Sequence, residues 1–390
     1  RALSRRRFLA GTGGCAAALS GVPTASADGP PRSVTDEAAQ PALERVVDDL
    51  VETSLSEYDV PGATVAVVTD ASDVLTKGYG VADRDEGSPV DPERTPFRVG
   101  SVSKPVLATA LMDRIRRGDL DPAAGVTEYV DVPVDGAAEE PVTLAQLVTH
   151  RGGFEATNRA MWIPDHDRIR SLESYLRTDA DRRVREPGSV GSYSNYGYAL
   201  AGRALAATVG GPFHRAMDEA LLTPAGMTRS SFRQPLPPEL AAAHATGHGG
   251  TGPFSDGSFP LLGLRPAGSM SATAADMSRF LRLHLNDGEL DGERVLESGT
   301  TEAMHRRWAT HHERLDGMAF GLIEERRGDV RTLWHNGGTP SFYSHLVLVP
   351  EHDFGLFVAV NDADGRAAAT DVVDGVLDEV LPASDDEPLS

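Results

Sequence analysis

The eight residues from Arg98 to Pro105, RVGSVSKP, constrain the layout of this chain more than any other stretch. They read as the end of a strand running into a helix, with a serine at the junction and a lysine three residues later. Pro105 has no N–H and breaks a helix interior, so the helix has to begin only a few residues before it. Leu107, Leu111 and Ile115 then recur every four residues, with Val106 and Ala110 beside them, and Gly118 is a natural stop. Ser101 therefore falls at or just before the helix N-terminus, where unpaired N–H groups and the positive end of the dipole favour negative charge on its oxygen. Lys104 lies on the same face. Of the 37 basic residues only Lys77 and Lys104 are lysine. Lysine, unlike arginine, can lose its proton when desolvated, and burial at a helix N-terminus favours that loss. The pair reads as a nucleophile with its base, against the plainer alternative of a surface Ser/Lys pair at a helix cap.

Around this junction the chain divides by periodicity. A helix is expected from about Asp36 to Ser56, with Leu43, Val46, Val47, Leu50, Val51 and Leu55 on one stripe. Two β-rich runs follow, Ala63 to Thr69 and Val74 to Gly80. From Asp119 to about His311 the pattern is mostly helix and loop. Thr143 caps a short helix that Gly152-Gly153 closes, and Thr273 caps another that runs to Leu285. Residues 232–268, rich in Pro, Gly and Ala, read as a long irregular excursion. Four β-rich runs then return, Ala319 to Glu324, Val330 to His335, Tyr343 to Val349 and Phe354 to Val360, in the manner of an antiparallel meander. Val372, Val373, Val376, Leu377, Val380 and Leu381 mark a closing helix.

The net charge of −21 is scattered over the chain rather than gathered in a run. Such an acidic surface argues against a nucleic-acid partner. With lysine nearly absent, it suggests a protein that works at high salt, where self-repulsion is screened. The single cysteine, Cys15, allows no intrachain disulfide. His244 and His248 are four apart, but their glycine-rich surroundings argue against a helix and hence against a paired metal site. Gly247 to Gly252 lacks the Gly-Lys-Ser/Thr of a phosphate loop.

Three motifs line up in chain order: Ser101-Val102-Ser103-Lys104, Tyr193-Ser194-Asn195 and His335-Asn336-Gly337-Gly338. Together they resemble the serine β-lactamase and penicillin-binding-protein superfamily, in its class C-like branch. The stretches TLAQLVTHRGGF (143–154), YSNYGYALA (193–201), PAGSMSATAADMSRFL (266–281) and HNGGTPSFYS (335–344) match as well, so the resemblance spans about residues 40–381. It implies an α/β (α+β) fold, an antiparallel sheet flanked by the N- and C-terminal helices with an inserted, mostly helical lobe. On that reading a serine hydrolase domain covers 36–382, its sheet lobe about 36–105 plus 312–382 and its helical lobe about 106–311.

The resemblance also implies roles. Ser101 attacks a carbonyl to form an acyl-enzyme. Lys104 takes its proton, or supports a Tyr193 phenolate that does so. Tyr193 protonates the leaving group and later activates water. Asn195 holds Lys104 and the substrate amide, while His335, Asn336 and Gly337 bind substrate. The amides of Ser101 and Gly338 form the oxyanion hole, a glycine at 338 letting the strand approach the substrate closely. No metal or cofactor is implied, and the partner is a small-molecule substrate. Carboxylic esters, small D-amino-acid peptides or amides, and β-lactams compete as substrates, so a true β-lactamase or a D-alanyl-D-alanine carboxypeptidase is the near alternative. A penicillin-binding-like receptor without turnover is the distant one. His335 stands where many relatives carry lysine. With an ordinary pKa near ~6.5 it is mostly neutral at about pH 7, so the site loses a fixed charge and keeps a hydrogen-bond donor.

The N-terminal residues read as an address. Ser4-Arg5-Arg6-Arg7-Phe8-Leu9 resembles the twin-arginine export motif, an apolar Gly/Ala-rich region follows to Val22, and Ala25-Ser26-Ala27 is a cleavage site. An export signal over 1–27, a linker over 28–35 and a disordered acidic tail over 383–390 complete the layout, with an extracellular or cell-surface destination. Gly14-Cys15 faintly resembles a lipobox, and membrane attachment follows only if Cys15 is lipidated. Replacing Arg5 and Arg6 together by lysine is expected to abolish translocation, and mass spectrometry of the exported protein to find a mature N-terminus near Asp28. A lipid-bearing N-terminus at Cys15 would replace the released form with an anchored one.

Overall fold

The computed structural model describes residues 39–134, 140–157, 159 and 161–381. The expected export signal with Cys15, the linker, the first residues of the opening helix and the acidic tail lie outside the described residues. Helix α1 (Ala39–Glu57) leads into strands β1 (Gly62–Thr69), β2 (Asp73–Asp83) and β3 (Ser88–Pro89), and β4 (Phe97–Arg98) delivers the chain to α2 (Ser103–Arg116). There follow α3 (Leu144–Val148), α4 (Leu172–Thr178), α5 (Asn195–Val209), α6 (Phe213–Met217) and α7 (Pro238–Ala241). Next come β5 (Ser271–Ala272), α8 (Ala274–Leu285), β6 (Glu289–Leu290), β7 (Glu293–Arg294) and α9 (Thr300–His305). The chain closes with β8 (Ile323–Arg327), β9 (Val330–Thr339), β10 (Phe342–Val349), β11 (Phe354–Val360) and α10 (Arg366–Val380).

The main sheet is seven-stranded, in the order β3-β2-β1-β11-β10-β9-β8, and every pair in it is antiparallel. This is the α/β arrangement anticipated from the sequence, with the first and last helices together on one face. Side chains alternate along a strand, so β1 feeds two cores. Val65 and Val67 join Leu356 and Val358 under α1 and α10, against Val47, Val51, Val372, Val373 and Val376. Ala66 and Val68 join Phe357 and Ala359 on the other face, against Val106, Leu107 and Leu111 of α2 and Met277 and Leu281 of α8. Both faces being covered, β1 is buried from Gly62 through Val68 and reads as a continuous apolar run.

Helix α2 differs from the amphipathic expectation. Every residue from Ser103 to Asp113 is buried, and its arginines are confined to the last turn. The serine helix is thus a central element enclosed on all sides, and a polar group in its first turn is cut off from water.

Two boundaries move. The run expected as a strand from Ala319 to Glu324 begins pairing only at Ile323. Ala319, Phe320 and Leu322 are instead fully buried and form a turn, the Ala319 N–H donating to the Leu322 carbonyl at 2.9 Å and the Phe320 N–H to Met304 at 2.9 Å. Their apolar side chains serve as a plug under the sheet rather than one face of a strand. Helix α3 opens with Thr143 as expected, and Gln146 completes a reciprocal capping box. It is closed not by Gly152-Gly153 but by His150, which takes a left-handed φ of 57°.

Candidate active site

The nucleophile candidate is presented by backbone. Strand β4 pairs with β5, and the Val99 N–H donates to the Met270 carbonyl at 3.1 Å. Residues Gly100–Val102 then form one 3-10 turn that runs straight into α2. Ser101 is therefore just before the helix, as its sequence position suggested, and it is partly exposed while its neighbours are buried. The Ser344 hydroxyl of β10 donates to the Val99 carbonyl at 2.7 Å and ties the turn to the main sheet.

That turn packs against the open edge of β9. The ladder with β8 ends at Trp334, so the outer edge from His335 onward is free to receive it. A Cβ on Gly337 would stand 2.0 Å from the Val99 oxygen and 2.8 Å from the Ser101 nitrogen. A Cβ on Gly100, itself at φ +50°, would stand 2.8 Å from the Gly338 nitrogen. The two amides assigned to the oxyanion hole therefore lie along one seam between backbones. The glycine that the approach of turn to strand requires is Gly337, whereas a Cβ at 338 would meet only Tyr343 at 3.8 Å, an ordinary contact.

Lys104 is completely buried. Its Nζ stands 2.9 Å from Ser101 Oγ and donates to the Ala267 carbonyl at 2.6 Å. It also lies 4.8 Å from the centre of the Tyr193 ring and 5.5 Å from that of Tyr198. Burial alone holds its pKa well below the usual lysine range. Lys77 shows the opposite situation: it donates to Asp48 at 2.7 Å and sits 2.6 Å from Glu44, and its pKa is raised.

The Tyr193 hydroxyl reaches Ser101. Although 42% of the residue's surface is exposed, burial of its polar end pushes its pKa up to about 12, and the hydrogen bond with Ser101 pulls the other way. His335 is 1% exposed, its ring centre 6.3 Å from that of Tyr193. Burial, followed by Lys104, brings its pKa down to about 3. Its Nδ1 is 2.6 Å from the Asn336 carbonyl, which can only accept, so the ring proton sits on Nδ1. The remaining Nε2 is a buried lone pair without a partner. Hence the donor expected of His335 is spent on its own strand, and its Nε2 is a buried acceptor.

Two other assignments change. Asn336 alternates to the far face of β9, beside His345 in the register, and its side chain bonds Tyr343 on the α10 side. It is not part of the site, and strand periodicity is the reason. Asn195 opens α5, but the cap is Ser194, which accepts from the Gly197 N–H. The Asn195 Oδ1 is buried without a hydrogen-bond partner, and Lys104 Nζ donates instead to the Ala267 carbonyl. Ser101, Lys104, Tyr193 and His335 do converge. His150, Ala267 and Ser344 are the participants that motif reading passed over. All three act through backbone or through contact with backbone, which residue identity does not mark.

The profile of the Beta-lactamase family matches residues 43–377. This chain belongs to the beta-lactamase family. Among its relatives, penicillin-binding protein 4 of Amycolatopsis lactamdurans is 29% identical over 349 residues, covering 83% of this chain and 87% of that protein. Among solved structures, SurE with D-Leu superposes with a TM-score of 0.72 at 27% identity, over 90% of this chain and 80% of that one. A class C beta-lactamase from Rhodobacter sphaeroides shares the fold, with a TM-score of 0.67 at 20% identity, over 87% of this chain and all of that one (100%). The chain is thus a beta-lactamase-family serine hydrolase related to penicillin-binding proteins, and it shares its fold with class C beta-lactamases.

The seam makes a specific prediction. Gly337→Ala should lower kcat/KM by about 10²-fold or more, the cost of losing an oxyanion-hole donor, because the turn and the strand must part. Gly338→Ala should be tolerated within about tenfold. Steady-state kinetics on one activated ester, with melting curves for both variants, checks the order. A more damaging effect at 338 than at 337 would contradict the geometry.

Proposed function

We propose that this beta-lactamase-family protein is an exported acyl hydrolase that cleaves small neutral esters or amides through an acyl-enzyme on Ser101, with Lys104 as its base. The observation that carries the proposal is the Lys104 amine, wholly buried, held by one carbonyl and 2.9 Å from Ser101 Oγ. A neutral amine there has a lone pair for the serine proton. Tyr193, with its pKa raised, is the partner that stays protonated. In the first step the Ser101 hydroxyl gives its proton to Lys104 as Oγ bonds the substrate carbonyl carbon, and the negative charge moves onto the carbonyl oxygen between the Ser101 and Gly338 amides. Collapse expels the leaving group, which takes a proton from Tyr193. Water then attacks the acyl-enzyme by the reverse proton path and frees Ser101.

His335 decides the substrate class in this account. A ring that presents a lone pair gives no counter-charge to a substrate carboxylate. The acidic surface adds long-range repulsion of anions at low salt. Both features favour a neutral substrate over an anionic β-lactam or a free C-terminal peptide. A second reading, a D-amino-acid amide or ester as substrate, draws support from the likeness to a protein solved with D-Leu.

The test is a panel of short-chain esters, D-amino-acid amides and a chromogenic cephalosporin. The expected kcat/KM for the neutral ester exceeds that for the cephalosporin by about 10²-fold or more, or about 2.7 kcal/mol of transition-state discrimination. His335→Lys should narrow the gap by improving the β-lactam side. Efficient cephalosporin turnover with poor ester turnover would make this a β-lactamase, and a single acylation without turnover would make it a receptor.

A further inference from the structure

Tyr193 lies in a stretch, Gly188–Ser194, that forms neither helix nor strand, yet its hydroxyl must be held at Ser101. One residue accounts for that. The His150 carbonyl accepts from the Ser192 N–H at 2.7 Å, and its Nδ1 accepts from the Ser194 N–H at 3.1 Å. The residues on both sides of Tyr193 are therefore tied to His150. The His150 ring also lies against the Tyr193 ring, with centres 4.2 Å apart and planes inclined at 31°, and against Tyr198 at 5.1 Å. The Tyr198 hydroxyl donates to the Val148 carbonyl at 2.8 Å, so the tyrosine behind His150 is anchored to the helix that carries it.

We infer that His150 is the positioning residue that holds Tyr193 against Ser101, and that it works as a neutral ring with its proton on Nε2. The tautomer follows from the bond, since a nitrogen that accepts from an N–H carries no proton of its own. The left-handed backbone supports the role. A non-glycine residue at φ 57° is uncommon, and the glycines two and three positions later would take that conformation without a side chain. The histidine is kept where its ring and carbonyl can both reach the tyrosine segment. The groups that face the ring are Lys104 from α2, Tyr193 and Tyr198 from the α5 segment and His335 from β9. None is an anion that would favour a proton on Nδ1. Burial, then Lys104, then His335 all depress the His150 pKa, in agreement with the neutral form.

This inference rests on the acid–base role proposed for Tyr193, and a double-mutant cycle separates the two. His150→Phe keeps an aromatic ring on Tyr193 but cannot accept from Ser194. It is expected to lower kcat about tenfold or more while KM stays within about twofold. His150→Asn puts an acceptor near the Nδ1 position and tolerates a positive φ, so it should recover most of the loss. In a Tyr193→Phe background, His150→Phe should cost little more, because residues that act as a unit are not additive. If His150→Phe does not fold, His150→Gln, which moves the polar group toward the Nε2 position, takes its place with the same expected loss. Additive losses, or variants that alter the melting temperature while kcat and its pH profile stay unchanged, would overturn the positioning role. Tyr193→Phe with undiminished kcat would instead overturn the role of Tyr193, and the inference with it.

Discussion

The interaction on which the site depends is the burial of one amine. Lys104 occupies the first turn of a helix that is enclosed on every side from Ser103 to Asp113, and the hydrogen-bond partners of its Nζ are a carbonyl and the candidate nucleophile. An ammonium in that position would need a counter-charge, and among the described residues no carboxylate pairs with it. Between its lowered folded pKa and the ordinary lysine value, the unfolded chain therefore binds a proton at this group that the folded chain does not. Stability contributed by this group rises with pH between its lowered folded pKa and the ordinary lysine value. The fold thus gives up some stability to hold this amine buried beside Ser101. Lys77, placed between Glu44 and Asp48, shows what the same side chain does when charge is provided.

The rest of the architecture makes that burial possible. The sheet is covered on both faces, so α2 can pack on one face and still have α5, α8 and the Arg265–Ala267 turn around it. The 3-10 turn at Gly100–Val102 meets the exposed edge of β9 where β8 has ended. Backbone amides of two distant segments then face one seam, and side chains would only push them apart. The seam proposed as the oxyanion site is a consequence of two glycines, Gly100 and Gly337, and of the Ser344 hydroxyl that holds the turn to β10.

Much of this was legible in the chain. The Ser-x-x-Lys with a proline just after it places the serine before a helix, and the runs at both ends of the chain place the sheet. The errors have physical causes. Asn336 was read with its motif, but strand alternation sends it to the face opposite His335, a signal present in the sequence and outweighed by motif adjacency. Gly337 and Gly338 are equivalent as letters, and only the register of β9 against the turn separates them. The Ala267 carbonyl leaves no trace in residue identity, because any residue has one. The His335 tautomer depends on a neighbouring carbonyl at 2.6 Å, which spacing does not encode. His150 stood inside a matching stretch and looked like the end of a helix. Its link to Tyr193, 43 positions away, exists only once α3 and α5 are packed.

The central claim is that Lys104 is a neutral amine in the resting protein. The chain has only two lysines, so protein labelled with 15N-lysine shows two side-chain signals, and Lys77→Arg assigns them. Titrated by NMR without ligand, the Lys77 signal should remain that of an ammonium past 10.5, and the Lys104 signal should change well below 10.5. A Lys104 that titrates at or above 10.5 in the folded protein would contradict the account and return the role of base to Tyr193.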